Sequence, residues 1–187
     1  MFGLLIFVFA LTTAWLAPGQ TAGEDLDARM KRYNRSLGVE CTHCHVEGSW
    51  ADESKPEFDI ARNMSKMVPA VNEHLGEADR VSCWTCHRGE VRPSRQPAPA
   101  MDTELEKWPG ELANASASLK ATMAVYNVAL GVGCDHCHTA DWKADEKPSM
   151  KKVALMNGLF TIFPKFIPPK ARTQCFMCHK GSTKPAQ

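Results

Sequence analysis

The sequence lacks any run of basic residues, and its few aromatic side chains are not interleaved with lysine or arginine. Surfaces that bind nucleic acid normally carry such a basic stripe, so we expect no nucleic-acid partner. A strand–helix–strand pattern of the thioredoxin type is also missing, which argues against a simple thiol oxidoreductase. What remains is a chain of 187 residues with a formal net charge of +1, enough for one domain or a tightly joined pair.

No cysteine is left over outside one repeated motif, because all eight lie in four copies of Cys-x-x-Cys-His. This motif is the attachment signature of c-type haem: two thiols add to the haem vinyl groups, and the adjacent histidine reaches the iron. We therefore expect four covalently bound haem c groups. The attachment residues would be Cys41, Cys44, Cys83, Cys86, Cys134, Cys137, Cys175 and Cys178, with His45, His87, His138 and His179 on the irons.

Two other uses of paired cysteines are weaker interpretations of the same pattern. Structural zinc sites also use Cys-x-x-Cys pairs, but they have no need for histidine directly after the second cysteine. A disulfide framework is possible in an exported chain with an even number of cysteines. Disulfides within Cys-x-x-Cys are usually redox-active, however, so four of them in one small chain would be unusual.

The chain is an internal duplication. Cys41 recurs as Cys134, 93 positions later, and Cys83 recurs as Cys175, 92 positions later. This predicts a first dihaem repeat at 24–91, a proline-rich linker at 92–116 and a second dihaem repeat at 117–187. The expected fold is mainly α with much irregular coil, a multihaem c-type cytochrome of two pseudo-symmetric dihaem halves.

Four helices are predicted. Two run over 25–37 and 117–130 and end before Gly38 and Gly131, since glycine commonly follows a helix. Another begins near Ser54, where Ser54 and Glu57 fit a capping box, and breaks near Pro69. The last begins near Pro148 and weakens at 157–158.

Residues 1–17 form an apolar run without a charged residue. Haem c is attached outside the cytoplasmic membrane, so residues 1–23 are predicted to be a signal peptide or a retained membrane anchor. The protein is expected to be exported and periplasmic, either soluble or tethered to the cytoplasmic membrane by this segment.

Histidines are too few to give every iron two of them. The chain has seven, four are in the motifs as iron ligands, and His43 and His136 lie inside motif loops, which leaves only His74. Methionine is then the expected second ligand of most haems, which favours the reduced state and a fairly high potential. Met30 and Met123 each precede a motif by 11 residues. Core packing is the alternative role for these methionines.

The chain resembles the cytochrome c subunit of photosynthetic reaction centres over nearly its whole length after residue 24. The likeness rests on the helix ahead of Cys41 and of Cys134, on the run 61–67, on 83–89 and on the tail 175–185. The resemblance implies methionine on the first three irons, and it identifies these ligands as Met30, Met64 and Met123. It implies His74 on the fourth iron, whereas the internal repeat offers Met156 as a rival. The chain is considerably shorter than that subunit.

These features predict a carrier that passes electrons between periplasmic or membrane redox proteins and changes no substrate. An alternative is an electron-transfer subunit of a larger membrane complex, reaction-centre-like or respiratory. A less favoured one is a multihaem reductase with one open iron. Arg62, Arg88 and Arg172 are candidates to pair with haem propionates, although solvated surface charges are an equally good interpretation.

Overall fold

A computed structural model describes residues 25–95, 115–139, 147–168, 171 and 173–187. The predicted signal or anchor segment, most of the linker and Arg172 lie outside these ranges. Six α-helices occur in the described parts: α1 Leu26–Leu37, α2 Pro56–Leu75, α3 Cys83–His87, α4 Ala117–Leu130, α5 Pro148–Ile162 and α6 Cys175–His179. Because the described parts contain helices, turns and coil but no strand, the predicted mainly α fold is confirmed.

The helices α1 and α4 have the predicted ends. Gly38 and Gly131 follow them in the left-handed conformation, and their N–H groups bond to the carbonyls of Asn34 and Asn127. Glycine adopts this conformation without the steric penalty that a Cβ brings, so the sequence pattern alone is enough to stop each helix. At the other end of α4, the hydroxyl of Ser116 accepts a hydrogen bond from the N–H of Leu119 at 3.3 Å.

The start and the interior of α2 differ from the prediction. Lys55 is the N-cap and Pro56 lies in the first turn, so the predicted Ser54 capping box is wrong. The N–H of Ser54 instead donates to Asp52 at 2.8 Å. The predicted break at Pro69 is also wrong, because α2 continues to residue 75. Its last turn buries Val71 and Leu75, and this packing offsets the hydrogen bond that Pro69 cannot donate.

The helix α5 also differs from the prediction, because it does not weaken at residues 157–158. This helix runs through Gly158 to Ile162, and it packs against α2. The other helix pairs are α1 with α3, α4 with α6, and α3 with α6. Equivalent helices therefore pair within each half and across the halves, while the approximate two-fold axis between the halves stays a prediction.

The described part of the chain buries little apolar surface. Val71, Leu75 and Ala129 are its only buried hydrophobic side chains, and Ser36, Thr85 and His179 are buried polar ones. Most other apolar side chains in that part are half-covered. A chain of this size normally closes its own core, so this pattern fits a fold that closes around large apolar groups. Among the described helices, none is long and apolar enough to cross a membrane.

The end of α1 lies directly against the turn that follows the second motif. The N–H of Gly89 donates to the carbonyl of Ser36 at 2.9 Å, and a Cβ on Gly38 would lie 2.1 Å from the oxygen of Gly89. The second half repeats the contact, because a Cβ on Gly131 would lie 2.2 Å from the oxygen of Gly181. Each glycine thus ends a helix and also permits a close backbone approach.

Replacing Gly38 with alanine is expected to lower the free energy of unfolding by roughly 2–4 kcal/mol, since it combines left-handed strain with a clash against backbone. The control is Gly48→Ala. Gly48 lies in a turn and also has a positive φ, of 76°, but nothing lies within 4 Å of a Cβ there. The control should lose only the strain of the positive φ, about 1–2 kcal/mol. Thermal unfolding of the holoprotein, followed by circular dichroism, measures both, and equal losses would show that the Gly89 contact is unimportant.

Candidate haem sites

The third motif opens onto a cleft that contains the complete predicted ligand set. Cys134, Cys137 and His138 line it from the motif, and Met123 lines it from α4. The opposite part of the wall comes from α5, through Met150 and Val153. The cleft holds about 470 Å³ of empty space, part of it open to solvent. The structure thus brings together four residues that the sequence predicts to serve one haem.

The chemistry of this cleft fits a haem group. Its surface is almost entirely apolar, as a porphyrin face requires, and its candidate ligand atoms belong to two thiols, one imidazole and two thioethers. Soft sulfur and imidazole donors are the usual ligands of haem iron in electron-transfer cytochromes. Tyr126 and Asn127 complete the side formed by α4.

The first motif has the same relation to α1. The amide of Asn34 donates to the sulfur of Cys41 at 3.3 Å, and the amide of Asn127 lies 3.9 Å from the sulfur of Cys134. Met30 and Asn34 are four residues apart on α1 and therefore share a face. This places Met30 on the side of α1 that faces the first motif, and its role as an iron ligand stays a prediction. No sequence motif marks the two asparagines as site residues, although their recurrence in the repeat is a usable signal.

Three motif histidines are anchored in a common way. The Nδ1 atom of His45 lies 2.8 Å from the carbonyl oxygen of Trp50. The Nδ1 atoms of His87 and His179 lie 2.9 Å from the carbonyls of Glu90 and Ser182. When Nδ1–H donates to a carbonyl, Nε2 keeps its lone pair, and that nitrogen is the one left to bind a metal. Each contact also fixes the orientation of the ring.

His179 is the most buried of these histidines. Burial lowers the pKa of its imidazole, and the nearby positive charge of Arg88 lowers it too, while the hydrogen bond to Ser182 acts in the opposite direction. A lowered pKa favours the neutral ring, which is the form that binds iron.

The second and fourth motifs meet at the contact between α3 and α6. There the structure pairs Cys86 with Cys178 as a disulfide, with the Cα atoms 4.3 Å apart. Arg88 crosses the same contact and donates to the carbonyl of Cys178 at 2.7 Å. A disulfide sulfur has no thiol to add to a vinyl group, so haem attachment through both cysteines requires this pair to be reduced. The structure places none of the other six motif cysteines in a disulfide.

The remaining predicted ligands lie on the helices that join the halves. Met64 on α2 and Met156 on α5 are both half-buried. His74 lies at the contact between α2 and α5, where Nε2–H donates to the carbonyl of Leu155 at 2.8 Å. A Cβ on Gly158 would come within 2.6 Å of the His74 ring, so this glycine makes room for the imidazole. The choice between His74 and Met156 for the fourth iron stays open.

The candidate propionate partners have other contacts. Arg62 forms ion pairs with Glu53 and Asp59, its guanidinium lies 4.8 Å from the ring centroid of Phe58, and its side chain is half-exposed. These contacts favour a surface role. Arg88 reaches across to the fourth motif, as described above, and its Nε atom is buried without a hydrogen-bond partner. Arg172 lies outside the described residues.

The zinc interpretation gains no support in the described ranges, which contain no group of three or more Cys, His, Asp or Glu side chains placed to hold a metal ion. A haem site needs only one histidine and a second ligand on its iron.

Comparison with known proteins identifies the family. Residues 29–130 match the family model of the photosynthetic reaction centre cytochrome C subunit. The matched residues make up more than half of the chain. The photosynthetic reaction center cytochrome c subunit of Rubrivivax gelatinosus (strain NBRC 100245 / IL144) is 40% identical over 57 residues. That alignment covers 28% of this chain and 15% of the relative's length. Covalent haem c is the cofactor that such a cytochrome implies, and its motifs are present here. The chain therefore belongs to the family of photosynthetic reaction centre cytochrome c subunits.

Proposed function

We propose that this protein is a tetrahaem c-type cytochrome that carries electrons between redox proteins outside the cytoplasmic membrane. The observation that supports this most directly is the apolar cleft in which Cys134, Cys137, His138 and Met123 converge. When bound, haem supplies a reversible one-electron change at its iron. A carrier needs nothing else chemically, so we propose that the protein is not an enzyme.

The protein residues have distinct tasks in this mechanism. The paired thiols attach the cofactor covalently and prevent its loss. Three motif histidines, His45, His87 and His179, would present Nε2 to the iron, because their Nδ1 atoms are held by the carbonyls of Trp50, Glu90 and Ser182. A methionine thioether as second ligand stabilises the reduced state, and the apolar wall around it limits water and keeps the local dielectric low. The contact between α3 and α6 brings two attachment motifs next to each other, as a chain of electron-transfer centres requires.

A second candidate is an electron-transfer subunit of a larger membrane complex. The family and the name of the Rubrivivax gelatinosus relative favour it. The chemistry is the same, and only the partner differs. Membrane fractionation of the native host separates the two candidates: a soluble periplasmic protein supports the free carrier, while a protein that co-purifies with membrane subunits supports the complex.

The test of the proposed function is low-temperature EPR of the fully oxidised holoprotein, with spins counted and the haem content taken from the intact mass. Four haems, all low-spin, are expected, since each iron then has two strong ligands. One high-spin iron would indicate an open coordination site, and this result would favour the reductase interpretation instead. Fewer than four covalent haems would contradict the tetrahaem proposal.

Replacing His74 with alanine in the same experiment is expected to convert one haem to high spin and leave three unchanged. The matched variant is Met156→Leu, which removes the rival ligand but keeps a similar apolar volume. Because His74 also bonds to Leu155, the fold is checked by circular dichroism. If Met156→Leu gives the high-spin iron and His74→Ala does not, the assignment of the fourth ligand is reversed.

A further inference from the structure

Two lysines hold the first and third haem attachment loops in the same way. Lys55 and Lys147 are the N-caps of α2 and α5. The ammonium of Lys55 donates to the carbonyl of Thr42, and that of Lys147 donates to the carbonyl of Asp135. Both acceptors directly follow the first cysteine of their motif. The contact is made to backbone, so it recurs although the accepting residues differ.

The positive charges are also close to the second cysteine of each motif. Each ammonium contacts the carbonyl of the residue two positions ahead of that second cysteine. Each positive charge therefore lies beside the place where the cofactor would be attached, in addition to holding the loop.

The two loops differ in the charge that stands beside the lysine. Glu57 is in the first turn of α2, and its repeat equivalent, 92 positions later, is Ser149. The carboxylate of Glu57, two residues after the N-cap Lys55, opposes the positive charge of that lysine at the first loop. At the third loop, Ser149 adds a second contact, from a neutral group: its hydroxyl donates to the carbonyl of His136 at 2.6 Å. The second and fourth motifs form the helices α3 and α6 instead, which pack on each other.

We propose that Lys55 and Lys147 are positioning residues that hold the first and third attachment loops and raise the reduction potential of the haems attached there, an effect that Glu57 opposes at the first loop alone. The proposal rests on the proposed function. Its physical basis is that reduction adds one negative charge to the haem, so a neighbouring cation stabilises the reduced form and a neighbouring anion destabilises it.

The test is a spectroelectrochemical titration of the holoprotein in variants of both lysines. In Lys147→Met and in Lys55→Met, one of the reduction waves should move to lower potential. A unit charge near a partly hydrated site changes the equilibrium constant for reduction by roughly two- to tenfold, and tenfold corresponds to about 59 mV for one electron. Lys66→Met, which removes an exposed charge about three helical turns further along α2, should leave these waves in place.

Three further variants separate the charge from the structural contact. Lys147→Arg keeps both the charge and a donor, so the wave should return toward its original position. Glu57→Ser should move the wave of the first haem upward, and Ser149→Glu should move that of the third haem downward. An Arg variant that shifts as far as the Met variant would overturn the charge effect and leave only a structural role.

The outcomes distinguish this proposal from the proposed function. A protein that carries four haems, but whose waves stay in place in both Met variants, overturns the lysine proposal and leaves the tetrahaem carrier intact. If mass spectrometry of the wild-type protein shows that the first or third motif carries no haem, both the lysine proposal and the tetrahaem carrier are overturned.

Discussion

Replacing Cys134 and Cys137 together with alanine is expected to give a holoprotein that has lost one covalent haem and kept three. Both thiols line the same apolar cleft, and no other cysteine lines it. Haem that is held only by His138 and Met123 should be removed by acid–acetone extraction. The intact mass before and after extraction measures the effect.

The loss should also lower thermal stability markedly, because the described chain buries only Val71, Leu75 and Ala129 as apolar core residues. Without the cofactor, half-covered side chains of α4 and α5 would face water. Val153→Ala is the control in the same cleft: it removes wall contacts but leaves both thiols, so all four haems should remain attached. An unchanged covalent haem content in the double variant would show that the third motif is not an attachment site.

Replacing Met123 with leucine is expected to produce the second large effect, a change in spin state and potential of one haem. Leucine has a similar volume, so the cleft should stay filled, but it has no sulfur for the iron. The iron would lose its second strong ligand and become high-spin in the oxidised protein. Its potential should fall, since the thioether stabilises the reduced state, and axial ligands span a range of about 0.8 V.

Met150→Leu is the matched control for this prediction. Met150 lines the same cleft from α5, and the structure does not set it apart from Met123 by burial. EPR and redox titration of both variants decide whether Met123 or Met150 is the second ligand of the third haem. If Met150→Leu makes the third haem high-spin and Met123→Leu does not, the ligand has been assigned to the wrong helix, and the equivalent role of Met30 in the first half would lose its support.

Local sequence signals predicted the parts of the fold that local chemistry controls. The ends of α1 and α4 followed from Gly38 and Gly131, whose left-handed conformation stops a helix whatever surrounds it. The Ser54 capping box failed because Asp52 takes the N–H of Ser54, so the chain enters α2 one residue later. The break at Pro69 failed because packing of the following turn outweighs a local preference.

Contacts between residues that are distant in the chain could not be predicted from the sequence. The lysine contacts to the attachment loops join residues 12 and 13 positions apart, and no helical or strand periodicity marks them. The pairing of Cys86 with Cys178 joins residues 92 positions apart. Elimination left His74 as the one histidine outside the motifs, and the family resemblance implied its role on the fourth iron. Its place against Gly158 depends on how α2 crosses α5.

The sequence by itself determined the cofactor chemistry and the duplicated plan, because thiol and imidazole spacing within five residues is a local property of the chain. The tertiary structure alone decided which motifs are neighbours, where Met123 stands relative to Cys134 and Cys137, and which charges lie beside the attachment loops. Those features depend on helices that meet across long stretches of chain. Their packing is set by shape and burial around groups that the chain itself does not supply.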